Sequence, residues 1–168
     1  MSMNANELDV IDIVNITPQK WQSELIEVAD EADKIASFYF NQHDVKVDFK
    51  SDDSPVTKAD QDIEKVIRDA FLNKYSDIGI VGEEFSNIND NARVKLIVDP
   101  IDGTSNFIRK IPIIGTLLAI EVDGIIVAAV ISNGISKQRW IAAKGHGSFY
   151  NNSKIMVSSV SDFKDSQA

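Results

Sequence analysis

The sheet of this protein is set by residues 113–131, which read IIGTLLAIEVDGIIVAAVI. Two runs rich in β-branched and aliphatic residues flank the dipeptide Asp123-Gly124. An Asp-Gly pair between two such runs is a strong signal for a β-hairpin. The stretch therefore predicts two adjacent antiparallel strands, Ile113 to Val122 and Ile125 to Ile131.

Shorter β-rich runs extend this hairpin on both sides. Ile78 to Val81 and Val94 to Val98 precede it, and each run ends in acidic residues. Gln138 to Ala143 and Phe149 to Val157 follow it as a further strand and a final ribbon. Together these runs predict one antiparallel sheet in the second part of the chain.

Two helices are predicted ahead of the sheet. Thr17-Pro18 is typical of an N-cap followed by proline at the first helical position, and apolar residues then recur at helical spacing up to Tyr39. Thr57 is a good N-cap for the second helix, and Asp60, three residues on, completes a capping box. This helix is expected to end near Tyr75. Between the helices, Val45 to Phe49 reads as a weak strand and Ser51 to Pro55 as a loop.

The order of these elements predicts an α+β fold in which a helix pair packs on an antiparallel sheet. The chain has 168 residues, of which 43% are hydrophobic, enough for one domain with a real core. We expect a single domain over residues 1–168, with residues 1–16 and 160–168 flexible.

Composition excludes several classes of function. The 26 acidic residues outnumber the 17 basic ones, which gives a net charge of -9 and argues against nucleic-acid binding. The chain has no cysteine, so disulfides, zinc-thiolate sites and thiol nucleophiles are excluded. It shows no signal peptide and no apolar run of about 18 residues, so we expect a cytoplasmic protein without membrane contact. An acidic chain that handles phosphate would need cations, which directs attention to metal ligands.

The string DPIDGTSNF, residues 99–107, has the features of a metal and phosphate site. An apolar strand delivers Asp99, Pro100 turns the chain, and Asp102 follows three residues later. The carbonyl of Ile101 between the two acids can serve as a third oxygen ligand. Gly103 allows close backbone approach, and the start of a short helix after it would offer free N–H groups to phosphate.

Two carboxylates forced together at a strand end repel each other unless a cation lies between them. Hard oxygen ligands without His or Cys indicate Mg²⁺ rather than zinc. Simpler interpretations exist for each piece: the string could be an Asx-type turn, Asp60 only a helix cap, and Glu83-Glu84 a solvated turn. The nine-residue string as a whole favours the metal site.

Three motifs in order resemble the inositol monophosphatase superfamily. They are SPVTKAD at 54–60, GEE at 82–84 and DPIDGTSNF at 99–107, with GHGSF at 145–149 similar to a later glycine-rich turn. The resemblance covers roughly Pro18 to Ser159 and implies the first half of a layered αβαβα sandwich. IIGTLLA at 113–119 and QRW at 138–140 look more like the histidinol-phosphatase branch than the inositol branch.

The resemblance implies a set of metal ligands. Glu83, Asp99 and the carbonyl of Ile101 would hold one Mg²⁺, and Asp99 and Asp102 would share a second. Asp60 would reach a third, loosely held ion or its water shell.

It also implies catalytic and phosphate-binding roles. Thr104 with Glu83 would orient and deprotonate the attacking water, and Asp60 would assist through its ion. Gly103, Thr104 and Ser105 would hold phosphate oxygens. The implied reaction is two-metal hydrolysis of a small phosphorylated alcohol, histidinol phosphate or, as the alternative, inositol phosphate.

The sequence departs from this family in its length. Family members carry a second half with a Trp-Asp-x-Ala motif whose Asp is a further ligand for the second metal. The tryptophans here are Trp21 and Trp140, and neither is followed by Asp. We therefore expect a truncated phosphatase domain whose isolated chain forms a homodimer or pairs with a separate C-terminal-half partner. A catalytically incomplete fragment, acting as a magnesium-binding or interaction subunit, remains the alternative to an active enzyme.

Overall fold

The computed structural model describes residues 12–42, 47–49 and 55–166. The expected flexibility of residues 1–11 and of the last two residues lies outside this range, as does most of the predicted loop at Ser51 to Pro55. Within it, short 3₁₀ turns form at Ile13–Asn15 and at Phe163–Asp165.

The described residues contain three α-helices, and the first two are capped as their sequences predict. Helix α1 spans Pro18–Phe40, and the side chain of Thr17 accepts from the backbone N–H of Lys20. Helix α2 spans Lys58–Lys74, with the capping box between Thr57 and Asp60 fully formed. These caps satisfy backbone N–H groups that have no partner inside a helix. Helix α3 is a short helix at Thr104–Ile108. Among the described residues, no helix combines the length and the apolar character needed to cross a membrane.

Two sheets form. The small one pairs β1, Val47–Phe49, with β2, Pro55–Thr57. The large one has seven strands in chain order. Its strands are β3 (Gly79–Gly82), β4 (Val94–Asp102), β5 (Gly115–Val122), β6 (Ile125–Asn133), β7 (Gln138–Ala143), β8 (Gly147–Tyr150) and β9 (Ser153–Ile155).

The predicted hairpin is confirmed. Val122 pairs with Ile125, and Asp123 and Gly124 between them have φ of 50° and 80°. Positive φ at both central positions is the geometry that an Asp-Gly turn supplies. The ribbon expected at Phe149 to Val157 forms as the two short strands β8 and β9, over Gly147–Tyr150 and Ser153–Ile155.

The predicted α+β class is confirmed, but the sheet is not wholly antiparallel, because β3 and β4 run parallel. After β3 the chain doubles back, and Ile88 pairs antiparallel with Ile80 through two backbone hydrogen bonds of 2.8 and 2.9 Å. The next strand then starts at the same end of the sheet as β3. Gly82 pairs with Val98, so the carboxyl ends of both strands lie side by side.

The core lies between α1, α2 and one face of the large sheet. On β4, Val94, Leu96 and Val98 are buried against the helices, while the residues between them are half-buried on the other face. This alternation follows from the period of two along a strand. Trp21 and Phe71 form the helix side of the core, with ring centroids 6.4 Å apart.

Candidate active site

The acidic string lies at the end of β4, where the strand is irregular. Asp99 pairs with Leu117 and Asp102 pairs with Gly115, so Pro100 and Ile101 together oppose Thr116 alone. In a regular strand two residues three apart would face opposite sides of the sheet. The extra residue of this bulge brings Asp99 and Asp102 to the same side, since their partners are two residues apart. The Thr116 hydroxyl donates to the Pro100 carbonyl at 2.8 Å and fixes the bulge.

The parallel pairing of β3 and β4 brings a second acid to the same place. Because Gly82 pairs with Val98, the next residues along the two strands are Glu83 and Asp99. A direct electrostatic contact between the two carboxyl groups follows from this register, and Asp102 and Asp60 act on Asp99 as well. The structure therefore places Glu83 beside Asp99 and leaves Asp102 and Asp60 near enough for their charges to act on Asp99.

Burial and these neighbours strongly perturb the pKa of Asp99. Burial, followed by the charge and hydrogen bond of Glu83 and the charges of Asp102 and Asp60, raises the pKa of Asp99 to about 7. Its Oδ1 atom is buried and has no hydrogen-bond partner among the described residues. A buried carboxylate oxygen in this condition is costly, which marks the position as one made for a further ligand.

Asp60 acts both as the helix cap and as part of the site. Its Oδ2 accepts from the backbone N–H and the hydroxyl of Thr57 at 2.8 and 2.5 Å. Its Oδ1 lies 3.3 Å from the hydroxyl of Thr104, and the Ile101 carbonyl oxygen lies 3.0 Å from the same hydroxyl, whose single proton can be donated to either acceptor. Burial raises the pKa of Asp60, and these hydrogen bonds oppose the rise. Asp60 thus caps helix α2 and also contributes to the candidate site.

Gly103 begins the turn into α3 with a positive φ of 88°. A Cβ atom there would lie 3.0 Å from the Ile113 carbonyl, so glycine also meets a steric need. Thr104 is half-buried and Ser105 exposed on the first turn of α3. Ser105 lines an open pocket of about 350 Å³ together with Ile108 and Arg109.

The donor set fits Mg²⁺ by chemistry. Burial and the carboxylates of Glu83, Asp102 and Asp60 raise the pKa of Asp99, and a divalent cation held by these oxygens would offset both effects. In the described part of the chain, no three acidic or histidine side chains already converge into a formed metal group. Asp99, whose buried Oδ1 has no hydrogen-bond partner among the described residues, would be one of the residues that hold the ion.

Sequence reasoning missed Glu64 and Arg68, which contact the Glu83 turn from α2. A signal was present, because both are charged residues on the helix face of Ile63 and Ile67. Lys58, at the start of the same helix, has a structural partner, because it pairs with Asp62 one turn further on.

The fold and the candidate site define the class of this protein, which is an α+β domain with acidic side chains at the carboxyl ends of two parallel strands. The sequence model of the inositol monophosphatase family matches residues 17–167. A histidinol-phosphatase from Chlorobaculum parvum is 36% identical, over 82% of this chain and 53% of the relative. Human inositol monophosphatase 1 is 32% identical, over 66% of this chain and 42% of the relative.

Two solved structures have a fold similar to that of this chain. The extragenic suppressor protein suhB from Bartonella henselae has a TM-score of 0.78 and 30% identity, over 83% of this chain and 55% of that one. The Thermotoga maritima IMPase has a TM-score of 0.75 and 26% identity, over 82% and 53%.

The chain belongs to the inositol monophosphatase family. The resemblance drawn from the three sequence motifs is thereby confirmed. The chain spans about half the length of the curated relatives it matches. Their names describe complete proteins, of which this chain corresponds to one part.

Proposed function

We propose that this chain carries the magnesium-binding and water-activating part of a phosphate monoesterase. The observation that supports it is the cluster of Glu83, Asp102 and Asp60 around Asp99, which leaves a buried carboxylate oxygen of Asp99 without a partner. Mutual repulsion of this kind is relieved by a divalent cation, and phosphate is an anion that an acidic chain binds only through such cations.

The metal ligands follow from the cluster and from the family. Glu83, Asp99 and the carbonyl of Ile101 would hold one ion, Asp99 and Asp102 a second, and Asp60 would reach a third. Bound magnesium would lower the pKa of a coordinated water and neutralise phosphate charge.

The residues around the ions would then position water and phosphate. The Thr104 hydroxyl is already fixed between Asp60 and the Ile101 carbonyl, so its oxygen can accept from a water. Glu83 would take the proton from that water. The backbone of Gly103 and the hydroxyl groups of Thr104 and Ser105 would contact phosphate oxygens.

For the substrate we propose histidinol phosphate, with inositol phosphate as the alternative. Three relatives named histidinol-phosphatase are 33% to 38% identical over 73% to 82% of this chain. Relatives named inositol monophosphatase reach 28% to 35%. We also propose a cytoplasmic location, as the sequence predicts.

Phosphate release from both substrates, with and without Mg²⁺, tests this function. We expect magnesium-dependent turnover that Asp99→Asn and Glu83→Gln reduce to background. Asp123→Asn is the matched control, because it makes the same change at an exposed turn where the Asp123 carboxylate pairs with Arg93. Wild-type chain that binds no Mg²⁺ and releases no phosphate would rule the proposal out.

A second candidate is a subunit that needs a partner to complete the site. The observation favouring it is a cross-strand row on the open face of the sheet. Starting from Asp99, the register runs through Leu117, Ile131, Trp140 and Tyr150. Ile131 and Trp140 are 43% and 37% exposed. A contiguous apolar surface beside the acids is typical of an interface.

We propose that this row binds either a second copy of the chain or a chain that supplies the remaining half. Light scattering over a concentration series identifies the first. Activity that appears only when the C-terminal half of a histidinol-phosphatase is added identifies the second. A monodisperse monomer with full activity alone would contradict both.

A further inference from the structure

Glu64 is a fully buried acid that the proposed chemistry does not use. It is 0% exposed, and its carboxylate accepts from three successive backbone N–H groups beyond β3. The N–H groups of Glu83 and Glu84 donate to Oε2 at 3.0 and 2.7 Å, and that of Phe85 donates to Oε1 at 3.3 Å. Hydrogen bonds to an ionised acceptor are among the stronger ones in proteins. One side chain of α2 thus holds the whole start of this turn.

Arg68, one helical turn further on, holds the same segment by its carbonyl groups. Its Nε donates to Oε1 of Glu64 at 2.8 Å, and its two terminal nitrogens donate to the carbonyls of Ser86 and Phe85 at 3.0 Å each. The guanidinium also lies 5.6 Å from the centroid of the Phe85 ring. Arg68 is buried as well, so the ion pair is shielded from water.

The contact between the helix and the turn leaves no spare room. A Cβ atom on Gly82 would lie 2.0 Å from Oε1 of Glu64 and 2.7 Å from a terminal nitrogen of Arg68. Glycine here is therefore required by close approach. Because the turn cannot shift without moving a buried ion pair, Glu83 has a fixed backbone position.

The same helix also carries Asp60. Glu64 lies four residues after Asp60, one turn along α2 and on the same side of the helix. Helix α2 therefore holds one proposed ligand directly and the backbone of another through Glu64. The two parts of the acidic cluster are set relative to each other by one rigid element.

We propose that Glu64 and Arg68 are positioning residues that set Glu83 against Asp99 for magnesium binding. The part of this inference that concerns magnesium rests on the proposed function. The part that concerns the position of the turn rests on the hydrogen bonds alone. Mutating a residue that orients a metal ligand typically lowers metal affinity 10- to 100-fold. A purely structural role would instead lower stability and leave the affinity of the folded chain unchanged.

The test compares Glu64→Gln with the full-length wild-type chain. Gln keeps the shape and one acceptor oxygen, but its NH₂ group must face an N–H donor or Arg68. We expect faster hydrogen exchange at the N–H groups of residues 83–85 in the metal-free protein. We also expect magnesium affinity, measured by calorimetry, to fall by about tenfold or more.

Glu24→Gln is the matched control. Glu24 is a buried acid of α1 paired with Lys20 and Lys74, and Lys74 lies at the opposite end of α2 from Asp60. This variant should lose stability without changing magnesium affinity or exchange at residues 83–85. Equal magnesium affinity in Glu64→Gln and Glu24→Gln, with both folded, would overturn the inference.

Arg68→Lys covers the case in which Glu64→Gln does not fold. Lys keeps the charge beside Glu64 but cannot donate to both carbonyls, so we expect a smaller change in the same two measurements. Unchanged exchange at residues 83–85 in a folded Arg68→Lys chain would then refute the role. If the wild-type chain binds no magnesium, the proposed function fails, while the exchange data still decide whether Glu64 and Arg68 hold the turn.

Discussion

The hydroxyl of Thr104 lies 3.3 Å from Oδ1 of Asp60, although the two residues are 44 positions apart in the sequence. This contact joins the turn after β4 to the first turn of α2. The other oxygen of Asp60 is occupied by Thr57, so the carboxylate links three segments of chain. Replacing Thr104 therefore tests both the proposed chemistry and the local structure.

Thr104→Val is expected to abolish phosphate release and to lower the free energy of unfolding by about 1–3 kcal/mol. Valine matches threonine in shape but removes the hydroxyl that reaches the buried Asp60 carboxylate and the Ile101 carbonyl, and such a loss costs roughly that amount. Urea unfolding and the phosphate assay measure the two effects. Thr104→Ser retains the hydroxyl and should keep most of both. A fully active Thr104→Val would contradict the role given to this hydroxyl.

The perturbed acid Asp99 predicts a pH dependence of stability in the metal-free chain. Its pKa is about 7 in the folded chain, against an ordinary value of 3.8. Between these values the folded state holds a proton that the unfolded state has lost. Stability should therefore fall as pH rises from about 4 to about 7 and then level off. Urea unfolding in EDTA at a series of pH values measures this slope.

Asp99→Asn should flatten that slope and make the metal-free chain more stable than wild type near pH 8. It removes a charge from a cluster that also contains Glu83, Asp102 and Asp60, and burial penalises that charge further. Adding Mg²⁺ near pH 8 should stabilise wild type and leave Asp99→Asn unchanged. If the variant were less stable than wild type in EDTA at every pH, the repulsion argument would be wrong.

Local chemistry explains which parts of the fold could be predicted. The capping box at Thr57 and Asp60 and the turn at Asp123-Gly124 depend on neighbouring residues alone, and both formed as expected. The direction of β3 was missed because it depends on a chain reversal that pairs Ile88 with Ile80. The sequence pattern of a strand carries no information on which neighbour it pairs with.

In the candidate site, too, features that depend on neighbouring residues could be predicted, and features that depend on distant parts of the chain could not. The acids of residues 99–102 were found from their spacing, but the bulge that turns Asp99 and Asp102 to one side was not. Glu64 escaped notice because a charged residue on a helix is ordinarily solvated. Its burial becomes meaningful only once the N–H groups of residues 83–85 are known to point at it.

Arg139 is predicted to stabilise the fold without affecting metal binding. Its guanidinium donates to Asp30 and Asp33 of α1 at 2.7 Å each and to Ser132 of β6 at 3.0 Å. Arg139→Gln should lower the free energy of unfolding by about 1–3 kcal/mol, because Asp33 loses a charged partner in a half-buried site. Lys34→Gln removes only an exposed pair with Glu31 and should change the free energy of unfolding much less. Urea unfolding and magnesium calorimetry on both variants check this, and an altered magnesium affinity in Arg139→Gln would count against it.

Ile131→Lys tests the apolar row that leads away from Asp99. Ile131 lies between Leu117 and Trp140 in the register, and its side chain is 43% exposed, so lysine can reach water there with little effect on the fold. A charge at the centre of a buried interface is costly, so self-association or binding of a second-half chain should weaken by about tenfold or more. Sedimentation velocity over a concentration series measures the first and titration with the partner chain the second.

Val157→Lys is the control, since Val157 is 94% exposed beyond β9 and off this row. Magnesium affinity should stay at the wild-type value in both variants, because the row meets the acids only at Asp99. If Ile131→Lys and Val157→Lys associate as wild type does, the open face of the sheet is not where the chain meets its partner.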